Sequence, residues 1–400
     1  MKYTLLGSNS GRNAGDAAIL SAVIDEFSRV DPDAEFFVPT TNMEFVRRSY
    51  AHLDGRVRPV NILPYTGSVR LLGPTTMAAM ARSDATLICD GIIFDVRLFN
   101  PAFNFLITLV GLAPWARLVR TQLFGYCMGI GPLRTASGRR FTRWVGKYCR
   151  EMLVRETDSR DLLLASGVDP SKVSVWADVA FVTRPAAPER VDRILSDLGL
   201  PLDEPLVGVN VTRYIGDWVA TGGLDQAGFL EQFREVFAKL RARLAPARLV
   251  LICTQRMDLG FAQQLREAIG DAALPILIND PALEDGTGYD CHDLMGVMGR
   301  LELFIGMRLH SLILASAMKT PIVGIVYAPK VASLLSWIGL PDNQVALTRE
   351  GLQSLVEVAG RAWDARAEQK AVIDPRIDEM RESVRGATQR VRAHLDGGRG

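Results

Sequence analysis

His310 stands two residues from Arg308 in the stretch GMRLHSLILASAMKTPIVGIVYAPK, which Tyr327 and Lys330 close. An imidazole changes its protonation near neutral pH, and cations beside it suit a small, multiply charged anion. The pattern between these residues brings them together. Residues 303–305 and 321–326 are short apolar runs of the kind a fully covered parallel sheet uses, and the apolar segment between them is long enough to cross over as a helix. The two strands then point the same way, and ligands bind outside the carboxyl ends of such strands. All four side chains are expected at one rim, on strands about 5 Å apart if the two are neighbours.

The same arrangement recurs along the chain. Residues 2–6 read as a strand, followed by GSNSGRNAGD and a helix over 17–27. This loop, which holds Asn13 and Asp16, offers backbone N–H groups and a helix N-terminus to an anion or a polar sugar. It has neither the GK[ST] of a Walker loop nor GxGxxG. Asp16 either caps the helix or orients and deprotonates a substrate hydroxyl. A buried strand over 84–89 runs into Asp90, Gly91 and Asp95, acids that either touch ligand or cap the next turn. The strand over 121–127 leads into MGIGPL, whose glycines permit close backbone approach. The strand 151–154 delivers Arg155, which either forks onto a carboxylate or phosphate or pairs with Asp158 or Asp178. Asp158 or Ser159 reads as the cap of a helix over 160–165. In the second half, the strand 206–211 ends at Asn210, Thr212 and Arg213, and the strand 248–253 runs into Thr254 and Gln255 before a helix over 261–269. His292 reads as a surface or helix-start histidine.

Four hundred residues, 48% of them hydrophobic, hold enough apolar material for two cores. Alternating short strands and helices indicate α/β units throughout. The expected division is an N-terminal Rossmann-like domain over 1–182, a proline-containing linker over 183–190, a second such domain over 191–360, and a helical tail over 361–400, interrupted at Pro375 and packing near the domain junction. A net charge of +1 argues against nucleic acid as a partner. Five scattered cysteines without CxxC spacing read as reduced thiols, pointing to a cytoplasmic protein. The N-terminus turns polar too early for a secretory signal. Residues 98–116 are uncharged but broken by two prolines and two asparagines. They read as a buried helix, with peripheral contact to the inner face of a membrane through Trp115, Arg117 and Arg120 as the alternative.

GRNAGDAAIL, GIGPL, VRETDSRDLL, ADVAF and above all GMRLHSLILASAMKTPIVGIVYAPK together resemble the polysaccharide pyruvyl transferase family, from about residue 5 to residue 335. The resemblance implies a GT-B-like fold, two Rossmann-like domains facing a central cleft. It also implies transfer of the enolpyruvyl unit of phosphoenolpyruvate onto two hydroxyls of a sugar, with phosphate released. Phosphoenolpyruvate is then a co-substrate, and no cofactor or metal is required. The chain departs from the family pattern at Ala17, in DGIIFD and at Met128, all in the half to which the resemblance assigns the acceptor. Which sugar is used, and whether it is free, nucleotide-linked or lipid-linked, stays open, as does assembly into a homo-oligomer.

Under that resemblance, Arg155, Arg308, Lys330 and Tyr327 bind the donor. His310 transfers the proton to its methylene carbon, and Arg308 disfavours the charged imidazole until the anionic donor binds. Asn13, Asp16, Asp90 and Asp95 bind or deprotonate the acceptor. Two rivals remain: a GT-B-type glycosyltransferase using a nucleotide sugar, and a binding protein of the same ancestry without activity. Against the first, no Glu pair follows the His310 turn to hold a ribose and a sugar.

Overall fold

The computed structural model describes residues 1–62, 72–212, 226–280 and 288–397. Arg213, expected at a strand end from sequence, lies outside the described residues. The chain forms two compact units, one of Met1–Gly11, Asp16–Val182 and Met380–Gly400, the other of Arg12–Gly15 and Thr183–Glu379.

The first unit is built from β1 (Lys2–Leu6), α1 (Ala14–Val30), β2 (Glu35–Thr40), α2 (Met43–Ser49), β3 (Val57–Asn61), α3 (Pro74–Ala81), β4 (Ala85–Ile88), α4 (Phe105–Leu118), β5 (Gln122–Met128), α5 (Ala136–Tyr148), β6 (Glu151–Val154), α6 (Thr157–Ala165) and β7 (Val173–Val175). Its strands form one sheet in the order β3-β2-β1-β4-β5-β6-β7, every pairing parallel. Residues of β1, β4 and β6 are buried almost without exception, because helices cover both faces. Strand order reverses direction between β1 and β4, so the loops after these two strands diverge and leave a crevice at their carboxyl ends.

The second unit continues with α7 (Pro188–Asp197), β8 (Leu206–Asn210), α8 (Gln226–Arg243), β9 (Arg248–Cys253), α9 (Arg256–Ile269), β10 (Ile276–Ile278), α10 (Cys291–Met298), β11 (Leu301–Gly306), α11 (Leu309–Ala317), β12 (Ile322–Val326), α12 (Pro329–Trp337), β13 (Gln344–Ala346), α13 (Arg349–Asp364) and α14 (Arg366–Gly397). Its order is β10-β9-β8-β11-β12-β13, again all parallel. The switch point falls between β8 and β11. Beneath it lies a core of Phe229, Phe233 and Phe237 from α8, Phe261 and Leu265 from α9, and Leu352 and Leu355 from α13.

Several expectations need correction. Pro188 opens α7, so the proline-containing linker ends at Ala187. Arg12–Gly15 belong to the second unit, where Asn13 bridges Gln255 and the Ala14 N–H donates to Thr254 O over 2.9 Å. The apolar stretch 98–116 does not begin as a helix. Asn104 caps α4 by accepting from Ile107 N, and its amide N–H groups donate to Phe94 O and Val96 O. No helix among the described residues is long and apolar enough to cross a membrane. α6 starts at Thr157 with Glu156 at its cap position, ahead of Asp158 and Ser159. Pro375 sits inside α14 without ending it.

From Met380 onward α14 belongs to the first unit, and Glu151 of β6 is its main polar anchor. The buried carboxylate accepts from Arg390 Nε (3.0 Å) and Ser174 Oγ (2.9 Å), and His394 Nε2 lies 2.8 Å away. Burial alone would raise its pKa, but the hydrogen bonds from Arg390, His394 and Ser174 outweigh that and hold it below the ordinary 4.5. A carboxylate whose pKa is depressed on folding adds stability above its unfolded pKa and loses it as pH falls through the folded value. Glu151→Gln is therefore expected to lower unfolding free energy by about 2 kcal/mol at pH 7. The gap to the unsubstituted protein should narrow as pH drops below 4.5, as read by denaturant titration across that range.

Candidate functional site

In the second unit the polar residues gather at the switch point. Asn210, the last residue of β8, is fully buried. Its amide donates to Ile252 O (2.8 Å), and its Oδ1 accepts from Arg308 N (3.1 Å) and Ser311 Oγ (3.0 Å). Arg308 turns back to Asp258 on α9, with Nε donating to Oδ2 over 2.7 Å and Nη2 to Oδ1 over 2.6 Å. Thr212 closes the ring, its hydroxyl donating to Asp258 Oδ1 (2.7 Å) and accepting from Arg308 Nη2 (2.9 Å). The Asp258 side chain has no solvent exposure and that of Arg308 only 15%. A two-pronged, charge-assisted contact of this kind is the strong form of ion pair, and breaking it leaves a buried charge.

This changes the role read for Arg308. Its planar fork is occupied by Asp258, leaving Nη1 outside the pair, so its first task is to fix the turn that carries His310. Asp258 is the residue the sequence reading missed. A signal was present: Asp258, Phe261, Ala262 and Leu265 follow helical spacing on the buried side of α9, and an acid in an apolar stripe needs a partner.

His310 is the second residue of α11 and half-buried. Gly15 lies against its ring: a Cβ on that glycine would come within 2.4 Å of His310 Cβ and Cγ and 2.5 Å of Nδ1. The N-A-G-D loop thus contributes a wall for the imidazole, and only glycine leaves room for it. Asn13 supports this wall by accepting from Gly15 N over 2.9 Å.

β11 and β12 are direct neighbours, Gly306 opposite Gly324, so the turns after them share one rim. α11 and α12 both begin there, and neither cap residue, Arg308 or Ala328, makes a side-chain cap hydrogen bond. Two helix N-termini therefore present backbone N–H groups and positive dipole ends at adjacent positions. Lys330, half-buried in the first turn of α12, has no carboxylate within ion-pair distance among the described residues. Tyr327, just after β12, packs on the core.

The first unit has its own cluster at the β1/β4 switch point. Asp16 shares a hydrogen bond with Asp90 and takes another from Ser8. Burial, then the adjacent Asp90 carboxylate, push the Asp16 pKa well above the ordinary 3.8, with Arg155 pulling the other way. A carboxyl whose pKa is raised beside a second carboxyl is suited to accepting or giving a proton. Asp90 adopts left-handed backbone (φ 66°), uncommon for a residue other than glycine, and its Oδ1 accepts from Gly91 N over 2.5 Å.

Arg155 is buried and ion-paired by Nη1 to Asp178 (2.8 Å) and by Nε to Glu156 (3.1 Å). Arg155 thus makes the Asp178 pair that the sequence offered, with Glu156 a second partner that was not foreseen. A Cβ at Gly129 would lie 2.7 Å from Nη2, so the glycine of MGIGPL clears space for this guanidinium. Asp95 is buried elsewhere, its Oδ2 accepting from Thr135 N over 2.5 Å at the start of α5, which describes a structural anchor. The nearby thiols of Cys89 and Cys127 are buried, and burial pushes both pKa values up, so neither is a ready nucleophile.

The profile of the family described as polysaccharide pyruvyl transferase matches residues 13–329. The chain belongs to that family. It is a pyruvyltransferase of polysaccharide biosynthesis. Among curated proteins it is similar to the amylovoran biosynthesis protein AmsJ of Erwinia amylovora, 22% identical over 377 residues, covering 86% of this chain and 87% of that one. Among solved structures it is similar to Alr3699/HepE of Anabaena in complex with UDP and glucose (TM-score 0.63, 13% identity, 99% of this chain and 100% of that one). It is also similar to the UDP-GlcNAc 2-epimerase of Neisseria meningitidis bound to UDP-GlcNAc (TM-score 0.63, 10% identity, 99% of each chain). At these identities the shared feature is the fold, GT-B-like with two parallel-sheet α/β domains.

Two substitutions probe the histidine's support. Asp258→Ala strands a buried guanidinium and is expected to cost about 3–5 kcal/mol of unfolding free energy, measured by denaturant titration. Gly15→Ala displaces the imidazole while leaving the Arg308–Asp258 pair intact, so pyruvyl transfer should fall at least tenfold with the unfolding midpoint nearly unchanged.

Proposed function

We propose that this pyruvyltransferase takes its pyruvyl unit from phosphoenolpyruvate and builds a ketal across two hydroxyls of a sugar in a cell-surface polysaccharide or glycolipid precursor. The observation that carries the donor assignment is the rim after β11 and β12, where two helix N-termini without side-chain caps and Lys330, which meets no carboxylate among the described residues, adjoin His310. Phosphoenolpyruvate carries a phosphate and a carboxylate, and such a rim offers N–H groups and the Lys330 ammonium to them. Lys330 is assigned to the phosphate, the helix termini and Arg308 Nη1 to the remaining charge, and the Tyr327 hydroxyl to orientation of the carboxylate.

In the assigned chemistry, His310 gives its proton to the methylene carbon, which becomes the ketal methyl, and C2 takes on oxocarbenium character. One sugar hydroxyl adds to C2 and loses its proton. Phosphate then departs with the C2–O bonding pair, and the second hydroxyl closes the ketal with loss of its own proton. The Asp16–Asp90 pair is assigned to the hydroxyl protons. Arg155, held by Asp178 and Glu156, is assigned to keeping negative charge on that pair. A nucleotide-sugar transferase would use the same fold, but family membership favours pyruvyl transfer.

Incubation with phosphoenolpyruvate and a panel of sugar acceptors tests the reading. Phosphate release that depends on acceptor, together with the mass gain of a pyruvate ketal, supports it; transfer from a nucleotide sugar and none from phosphoenolpyruvate refutes it. His310→Gln should lower turnover by roughly 10² to 10⁴-fold while phosphoenolpyruvate still binds, as measured by calorimetry. Asp90→Asn leaves burial acting on Asp16 but removes the adjacent charge that raises its pKa further. A base must be deprotonated to act, so the acid limb of the residual pH–rate profile should move to lower pH.

A further inference from the structure

α4 and α5 lie side by side on the first unit, and their outward surface differs from those of α8 and α14 in how its charges are balanced. On α8 and α14, arginines stand one turn from glutamates, as in Arg234–Glu231, Arg376–Glu379 and Arg385–Glu382. Arg117, Arg120, Arg140, Arg143, Lys147 and Arg150 have no carboxylate within ion-pair distance among the described residues, and all six are exposed. They are contiguous. Arg140, Arg143 and Lys147 line a cavity of about 640 Å³, Arg117, Arg120, Lys147 and Arg150 line another of about 610 Å³, and Lys147 and Lys172 belong to both. Lys172 is fixed there by donating to Lys147 O (3.0 Å) and Cys149 O (2.9 Å), which caps the end of α5. Among the described residues the sole carboxylate lining either cavity, Asp169, is turned onto Ser171.

Apolar groups are exposed among these cations. Leu118 at the end of α4 and Phe99 before its start are each 72% exposed, and Trp144 on α5 is 40% exposed. The Trp144 indole donates to Val110 O on α4, and Phe99 packs edge-on against Phe141, which lines the first cavity. Trp144 also lies beneath Lys147 Nζ, 5.8 Å from its ring centre. Trp115, to which the sequence reading gave membrane contact, instead donates its indole N–H to Met77 O.

We propose that this face docks on an anionic lipid bilayer, its cations taking phosphate headgroups and its apolar side chains entering the headgroup boundary. Alternating cations and large apolar groups on one helical surface fit that occupant. A polyanion in solution would have no use for exposed Leu118 and Phe99. A second copy of the chain would set six cations against six. With a net charge of only +1, the chain has no general excess of positive charge to explain the cluster. Arg120 lies two residues before β5 and Arg150 immediately before β6, at the amino edge of the sheet. Asp16 and Asp90 follow β1 and β4, at the carboxyl edge of the same sheet, so docking leaves those two carboxyls uncovered.

Co-sedimentation of the full chain tests this, with vesicles of phosphatidylcholine alone and of phosphatidylcholine mixed with phosphatidylglycerol at physiological salt. Binding is expected to the mixed vesicles only. Arg140→Gln and Arg143→Gln should each weaken it about fivefold, and Leu118→Ser combined with Trp144→Ser should weaken it further, with circular dichroism confirming that each variant is folded. The proposal is overturned if the protein stays in the supernatant with both vesicles, or if Arg140→Gln and Arg143→Gln bind as the unsubstituted chain does. It is equally overturned if soluble polyphosphate displaces the protein while the Leu118 and Trp144 substitutions have no effect, which would mark a polyanion site. None of these outcomes depends on the identity of the pyruvyl donor or acceptor.

Discussion

The second unit depends on one buried interaction, the two-pronged contact between Arg308 and Asp258. A guanidinium this poorly exposed is stable only when its charge and its donors are matched; Asp258 on α9 and Thr212 just after β8 supply that match, while Asn210 at the end of β8 accepts from the Arg308 backbone N–H. The turn after β11 is thereby fixed to the ends of β8 and α9. His310 projects from that turn, with Gly15 against its ring. The pair therefore sets where the imidazole, to which we assign proton transfer, stands relative to the N-termini of α11 and α12.

The first unit meets a related constraint in another way. Asp16 and Asp90 are brought into hydrogen-bond contact at the carboxyl ends of β1 and β4, where burial and then the neighbouring carboxylate push the Asp16 pKa up while Arg155 acts against that rise. Left-handed backbone at Asp90 and the missing side chain at Gly129 are both local concessions to that packing. The assigned reaction needs one proton delivered to carbon and two removed from hydroxyls. The histidine and the carboxyl pair are chemically suited to those opposite tasks.

Much of this was legible in the sequence because parallel strands buried on both faces read as uninterrupted apolar runs, and polar residues directly after such a run lie at a rim. That logic located His310, Lys330, Asp16 and Asp90. It failed where a residue's partner is distant in sequence. Asp258 lies in turns of α9 that precede the apolar residues marking its core, and the helix was expected only from residue 261. The contact of Gly15 with His310, and the membership of Asn13 in the second unit, depend on tertiary packing that no local pattern encodes. For Arg155 the sequence left open whether its fork meets a ligand or the protein's own carboxylates, whereas Arg308 was read only as an anion clamp and its fork on Asp258 was not foreseen. Asp95 came after a strand like Asp90 and was indistinguishable from it until its bond to Thr135 N was seen.

The claim at the centre of this account is that a protonated group of the protein adds its proton to the methylene carbon of phosphoenolpyruvate. Turnover in deuterium oxide, with the ketal product examined by mass spectrometry and NMR, tests it most directly. At least one deuteron is expected in the ketal methyl group, with phosphate released in equal amount. A product methyl free of deuterium would contradict it.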